Sequence, residues 1–176
     1  MTLPPRWRPV DLTPEMLGAT LQTIRDENPG IRGLISDQML RGQILSGLTF
    51  YAIHAAPETY IYDTPTNLNV VKLVLQIDIT LETYVQQKLR QIELQVIRNT
   101  PIRHERVMLG NIEAERFAYD REITGTTGEF ISVHIIQYLV LDGRTSYVIT
   151  LTAPRPLTDT YVPMFDEIGA SFELMR

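Results

Sequence analysis

The sequence predicts an α+β domain: a mostly antiparallel sheet of about five to seven strands, helices on both faces and an extra helical segment at the N-terminus. Three observations carry this reading. Asp142-Gly143 lies between two β-rich runs within Glu129 to Pro154, the strongest short-range hairpin signal. Residues 102–122 read as two further strands in which charged and apolar positions alternate. Between them and the N-terminal part, residues 81–98 carry Leu81, Val85, Leu89, Ile92 and Val96 at steps of four, four, three and four, one narrow helical stripe.

With Asp142 and Gly143 as the whole loop, Leu141 faces Arg144, Tyr138 faces Tyr147 and His134 faces Leu151. One face of the hairpin then carries Phe130, His134, Ile136, Tyr138, Val140, Tyr147, Ile149 and Leu151. The other carries Ile131, Val133, Ile135, Leu139, Leu141 and Val148, diluted by Gln137, Thr150 and Thr152. Both faces are largely apolar, so the hairpin is expected at the centre of the sheet with its polar groups satisfied internally. Ligands are then expected at its periphery.

From the N-terminus, residues 1–11 form an extended, proline-rich lead-in with Trp7 as a packing anchor. Thr13-Pro14-Glu15 reads as N-cap, first-turn proline and acidic first turn, followed by Met16, Leu17, Leu21 and Ile24 at helical spacing as far as Asp26-Glu27. Asn28-Pro29 repeats the start signal for a second helix bearing Ile31, Leu34, Ile35 and Met39. Strands follow over Leu48–Ala55 and Leu68–Ile77, joined by the turn-rich 57–67, and Thr80 caps the 81–98 helix. The strands Ile102–Leu109 and Ile112–Glu122 turn at Gly110-Asn111 and lie toward an edge. Gly125–Gly128 is a loop, Pro154 and Pro156 break the sheet, and a last helix spans about 160–168 with Val162, Phe165 and Ile168 inward. One domain over residues 1–176 is expected, with 1–47 as the helical extension and 48–176 as the sheet and its covering helices.

Composition excludes several functions. Sixteen basic against twenty-one acidic residues give a net charge of −5, and no polybasic tract exists to neutralise phosphates, so nucleic acid is not an expected partner. Without cysteine there is no disulfide, thiolate nucleophile or Cys-based zinc site. No apolar run is long enough to span a bilayer. MTLPPRWRPV lacks the apolar core of a signal peptide, so the chain as read is expected to be cytoplasmic, and extracytoplasmic if the native start lies upstream.

Further along, the strand with Asn67-Leu68-Asn69-Val70, the helix opened by Thr80-Leu81-Glu82-Thr83-Tyr84-Val85 and a meander with Gly110 and Ala114 come in a familiar order. A Gln137-Tyr138 strand, a tight turn, Tyr147-Val148-Ile149-Thr150 and a closing Phe165-x-x-Ile168-x-x-Ser171-Phe172 complete it. Over residues 48–174 this order resembles the PsbP-like superfamily, which includes small bacterial lipoproteins. The resemblance implies an α/β/α sandwich, usually non-catalytic, serving as an accessory or binding module. It supplies no ligand residues.

Chemistry is sparse. His54, His104 and His134 fall on three different strands without metal spacing, and no metal or cofactor is expected. The densest charge is Arg103, His104, Glu105 and Arg106, then Glu113, Glu115, Arg116, Asp120, Arg121 and Glu122, the pattern of cross-strand ion pairs on a solvated edge. Candidate binding residues are Tyr51, Tyr60 and Tyr62 on an aromatic surface, and Arg103, His104 and Arg116 on the charged edge. The expected function is a non-enzymatic binding or accessory domain for a protein partner or small ligand, with homodimerisation left open. Two alternatives stand beside it. One is a small hydrolase-like enzyme using His134 or the Arg103–Glu122 cluster, which requires a cleft where a histidine meets a carboxylate. The other is a structural domain of an envelope complex.

Overall fold

The computed structural model describes residues 1–27, 37–56, 64–97, 100–124 and 128–174. Seven strands, β1 (Trp7–Pro9), β2 (Leu48–His54), β3 (Asn67–Val74), β4 (Arg103–Leu109), β5 (Ile112–Thr124), β6 (Phe130–Asp142) and β7 (Thr145–Pro154), form one sheet in the order β1-β2-β3-β7-β6-β5-β4. Every neighbouring pair is antiparallel. Helix α4 (Thr158–Ala170) covers one face, while α1 (Leu17–Glu27), α2 (Asp37–Leu45) and α3 (Leu81–Glu93) lie on the other. The expected antiparallel sheet with helices on both faces is what forms.

The β6–β7 hairpin is central, as its two apolar faces require, but its register differs from the expected one by two residues. Asp142 pairs with Thr145, Leu141 with Ser146 and Tyr138 with Ile149, so the loop is Gly143-Arg144. Gly143 has φ 59°, while Arg6 is the one non-glycine with positive φ among the described residues. The left-handed residue therefore stands first in the loop, as a type II′ turn requires. Arg144 is held there by tertiary contacts: its Nε donates to Leu75 O at 2.9 Å, and its carbonyl accepts from Leu75 N at 2.8 Å. Because the shift is even, every side chain keeps its expected face.

On the α4 face, Tyr161, Phe165 and Ile168 are buried against Ile136, Tyr138, Ile149 and Leu151. Tyr161 takes the innermost place expected for Val162, which is only partly buried. Trp7 anchors β1 beside this layer, pairing with His54 and donating from Nε1 to Met164 Sδ at 3.3 Å. On the opposite face Leu17, Leu21 and Ile24 of α1 and Leu40 of α2 pack on Leu48, Tyr51 and Ile53, a cluster separate from that beneath α3. Helix α1 starts later than expected. Thr13 donates its hydroxyl to Asp11 at 2.7 Å instead of capping, and Met16 is left exposed. The start signal at 28–29 and Ile31, Leu34 and Ile35 lie outside the described residues.

Helix α3 is capped as expected, with Thr80 Oγ1 accepting from Thr83 N at 3.2 Å. Thr80→Ala should cost about 1 kcal/mol in urea denaturation, and an unchanged midpoint would remove the cap from the account. The helix ends at Glu93, short of the expected residue 98. Beyond it the backbone finds partners on β5: Val96 bridges to Arg121 and Ile97 N donates to Asp120 O. Val96 still reaches the apolar cluster, so the stripe is right although the helix is shorter.

Candidate functional site

Among the described residues, the layer opposite α4 has a gap. Helices α1 and α2 cover the β1–β2 end, α3 covers β5 and β6, and among the described residues only Val71 touches both apolar clusters. Between α2 and α3 the sheet floors a cleft of about 660 Å³. Its floor follows from strand alternation and register. Asn67 and Asn69 share a face of β3 because they are two apart. Pairing then places Tyr51, Asn69, Thr150 and Gln137 in one cross-strand row, and Asn67, Thr152, Ile135 and Tyr119 along the adjacent one. Polar residues thus occupy the stretch between the two apolar clusters of this face.

The hairpin's polar groups are only partly satisfied internally. Gln137 is 6% exposed and its Nε2 donates to Thr150 Oγ1 at 2.8 Å, but its Oε1 is buried without a hydrogen bond among the described residues. An unmet buried acceptor of this kind costs about 1–3 kcal/mol. The α3 wall presents Lys88 and Gln91, with Gln95 just beyond the helix, at helical spacing. Burial pushes the Lys88 ammonium's pKa down. It also raises the phenols of Tyr51 and Tyr119, the latter to about 12, so both stay protonated near neutral pH. Arg121 donates from Nη1 to Gln95 Oε1 at 3.1 Å, whereas its buried Nε has no partner among the described residues.

A second cleft, of about 480 Å³, opens on the α4 face near the start of that helix. His134 lines it, with Nδ1 2.6 Å from Asp120 Oδ1, and Arg155 Nε donates to the other oxygen of Asp120 at 2.7 Å. Arg103 and Arg116 also line it, and Arg116 is bound to Asp166 through Nε at 2.9 Å and Nη2 at 3.3 Å. Burial and the Asp166 carboxylate hold the Tyr138 phenol, which donates to Asp166 at 2.7 Å, well above its ordinary pKa.

Of the six residues singled out from sequence, the four that are described do not converge. Tyr51 is buried beneath the N-terminal helices and lines the first cleft. Tyr60 and Tyr62 lie outside the described residues. Arg103 and Arg116 border the second cleft, whereas His104 points to the opposite face and pairs with buried Glu115 at 2.6 Å. Glu115 also accepts from Arg106 Nε at 3.0 Å, and Arg116 Nη1 lies 3.5 Å from Glu105, so this edge does carry cross-strand ion pairs. The third histidine, His54, is buried with Nδ1 2.6 Å from the Tyr161 hydroxyl. Sequence reasoning missed Asn67, Asn69 and Lys88. The alternation Asn67-Leu68-Asn69-Val70 was the available signal. Among the described residues no group of three or more His, Asp or Glu is arranged to hold a metal, and no helix is long and apolar enough to cross a membrane.

The sheet order, helix α4 on one face and the split helical layer on the other define an antiparallel α/β/α sandwich. No family model and no curated protein matches the chain by sequence. Solved structures do match. A Pseudomonas aeruginosa protein of unknown function, described as a putative regulator, aligns at TM-score 0.54 and 13% identity over 64% of this chain and 74% of its own. LpqN of Mycobacterium tuberculosis, involved in cell envelope biogenesis, aligns at 0.53 and 11% over 94% and 76%. The cyanobacterial PsbP of Synechocystis sp. PCC 6803 aligns at 0.51 and 12% over 98% and 84%. The chain has the PsbP-like fold.

Proposed function

We propose that this protein is a non-enzymatic binding domain of PsbP-like fold, with the α2–α3 cleft as its small-ligand site. One observation carries the reading: a row of polar residues ending in the unmet Gln137 Oε1 floors a cleft of about 660 Å³ between two apolar clusters. Packing alone gives no reason for this row, since apolar residues there would let the two parts of the split helical layer close over the sheet. Volume and mixed lining suit a metabolite-sized molecule. The neighbours linked to envelope biogenesis and to regulation are compatible with an accessory role.

Crystals soaked separately in acetamide, acetate and imidazole should collect probe density over Gln137 and Thr150. Gln137→Leu should abolish that density while leaving the thermal midpoint unchanged or higher, because it removes an unmet buried acceptor. Density confined to the His134 cleft, or absent from both clefts, would overturn the assignment.

A second reading, hydrolase-like chemistry at His134, has its required geometry, a histidine against a carboxylate in a concave site. Against it, Asp120 is shared with Arg155, and the nearby Thr158 hydroxyl donates to Arg155 O at 2.7 Å, away from the imidazole. That arrangement suits a clamp holding the turn before α4 to β5. Turnover of an ester such as p-nitrophenyl acetate that disappears in His134→Gln would favour the enzyme.

A further inference from the structure

Resting on the assignment of the α2–α3 cleft as a ligand site, we infer that its ligand is a small anion, a carboxylate- or phosphate-bearing molecule whose charged group is met by Lys88 and Arg121. The chain carries twenty-one acidic residues against sixteen basic ones, yet no Asp or Glu lines the cleft among the described residues, while Lys88 and Arg121 both do. Elsewhere on the sheet and its flank, Arg106, Arg116 and Arg155 are paired with carboxylates, at 3.0, 2.9 and 2.7 Å from Glu115, Asp166 and Asp120. Lys88 and Arg121 have no carboxylate partner among the described residues. A partly buried cation left without a counterion is unfavourable. One that faces a cleft can take its counterion from solution.

The remaining lining fits such a ligand. Arg121 keeps its buried Nε free while Nη1 is engaged by Gln95, so the guanidinium is oriented with a donor in reserve. Gln137 and Thr150 form an adaptable pair. Thr150's hydroxyl can accept or donate, so the amide can turn to offer the cleft either its oxygen or its NH2. A ligand hydroxyl or an anionic oxygen is then accommodated equally well. Tyr51 and Tyr119, kept protonated by burial, retain donor hydroxyls beside the amides of Asn67 and Asn69. Anion binding would also relieve the desolvated Lys88 ammonium.

The test is a titration of the full chain followed by backbone and lysine side-chain NMR. The probes are succinate, inorganic phosphate and the neutral counterparts succinamide and glycerol. Succinate or phosphate should shift the resonances of Lys88, Arg121, Gln137 and Thr150 saturably and raise the pKa of Lys88. The tighter of the two identifies the carboxylate or the phosphate source. Lys88→Gln should weaken that binding about tenfold, the size of one charge-assisted hydrogen bond. Arg121→Gln, which also loses the Gln95 contact, should weaken it at least as much. Succinamide binding as tightly as succinate, or binding unchanged in Lys88→Gln, would overturn the anion inference and leave the cleft a ligand site. Absence of cleft shifts with all four probes up to their solubility limits would overturn both.

Discussion

Replacing Phe165 by alanine is expected to destabilise the domain by about 3–5 kcal/mol, the range for deleting a fully enclosed aromatic ring. Phe165 is 0% exposed and lies at the middle of α4, with its ring centroid 5.7 Å from that of Tyr161. The strand residues of the same cluster include the small Ala52, Ala114, Ala118 and Ala153 beside larger ones. Small side chains on the sheet cannot expand to fill the void, and the cavity term is then retained nearly in full. Urea denaturation measures the loss. Phe165→Leu, which keeps most of the volume, should cost distinctly less. A change below about 1 kcal/mol for the alanine variant would mean that α4 is not packed as described.

Gly169→Ala carries a sign opposite to helix propensity. Inside an exposed helix this exchange gains about 1 kcal/mol. Here a Cβ would lie 2.6 Å from Cε2 and Cζ of Tyr138 and 2.8 Å from its hydroxyl. The ring cannot swing aside freely, because its hydroxyl donates to Asp166 and Asp166 is in turn held by Arg116. A net loss of about 1–3 kcal/mol is expected, the usual scale of overpacking. Chemical denaturation of the single variant, and of the same change made in a Tyr138→Leu background, separates the two terms. With the ring removed, the alanine should become neutral or stabilising. A stabilised single variant would show that α4 can shift away from β6.

Much of the fold was legible in local patterns. The period-two runs of β2 to β7, the α3 stripe and the Gly-containing hairpin each report a backbone choice made over a few residues. What was misread depended on partners distant in sequence. Thr13 caps nothing because Asp11 takes its hydroxyl, α3 ends early because β5 offers Val96 and Ile97 backbone partners, and the hairpin slips by two because Arg144 is bound to Leu75.

For the candidate site the division is sharper. That Gln137, Thr150 and Thr152 dilute one face of the hairpin could be read directly, since alternation assigns faces without reference to register. Their pairing with Asn67 and Asn69 could not, because β3 joins β7 across more than seventy residues of chain. The same holds for the position of Lys88 over them.

The sequence by itself determined the sandwich, the central hairpin and the faces of its strands, because these follow from side-chain periodicity and turn chemistry. Only the tertiary structure decided where, among the described residues, the helices on one face leave the sheet uncovered. That gap depends on how α2 and α3 pack against different strands, and it alone turns scattered amides, hydroxyls and two cations into one cleft.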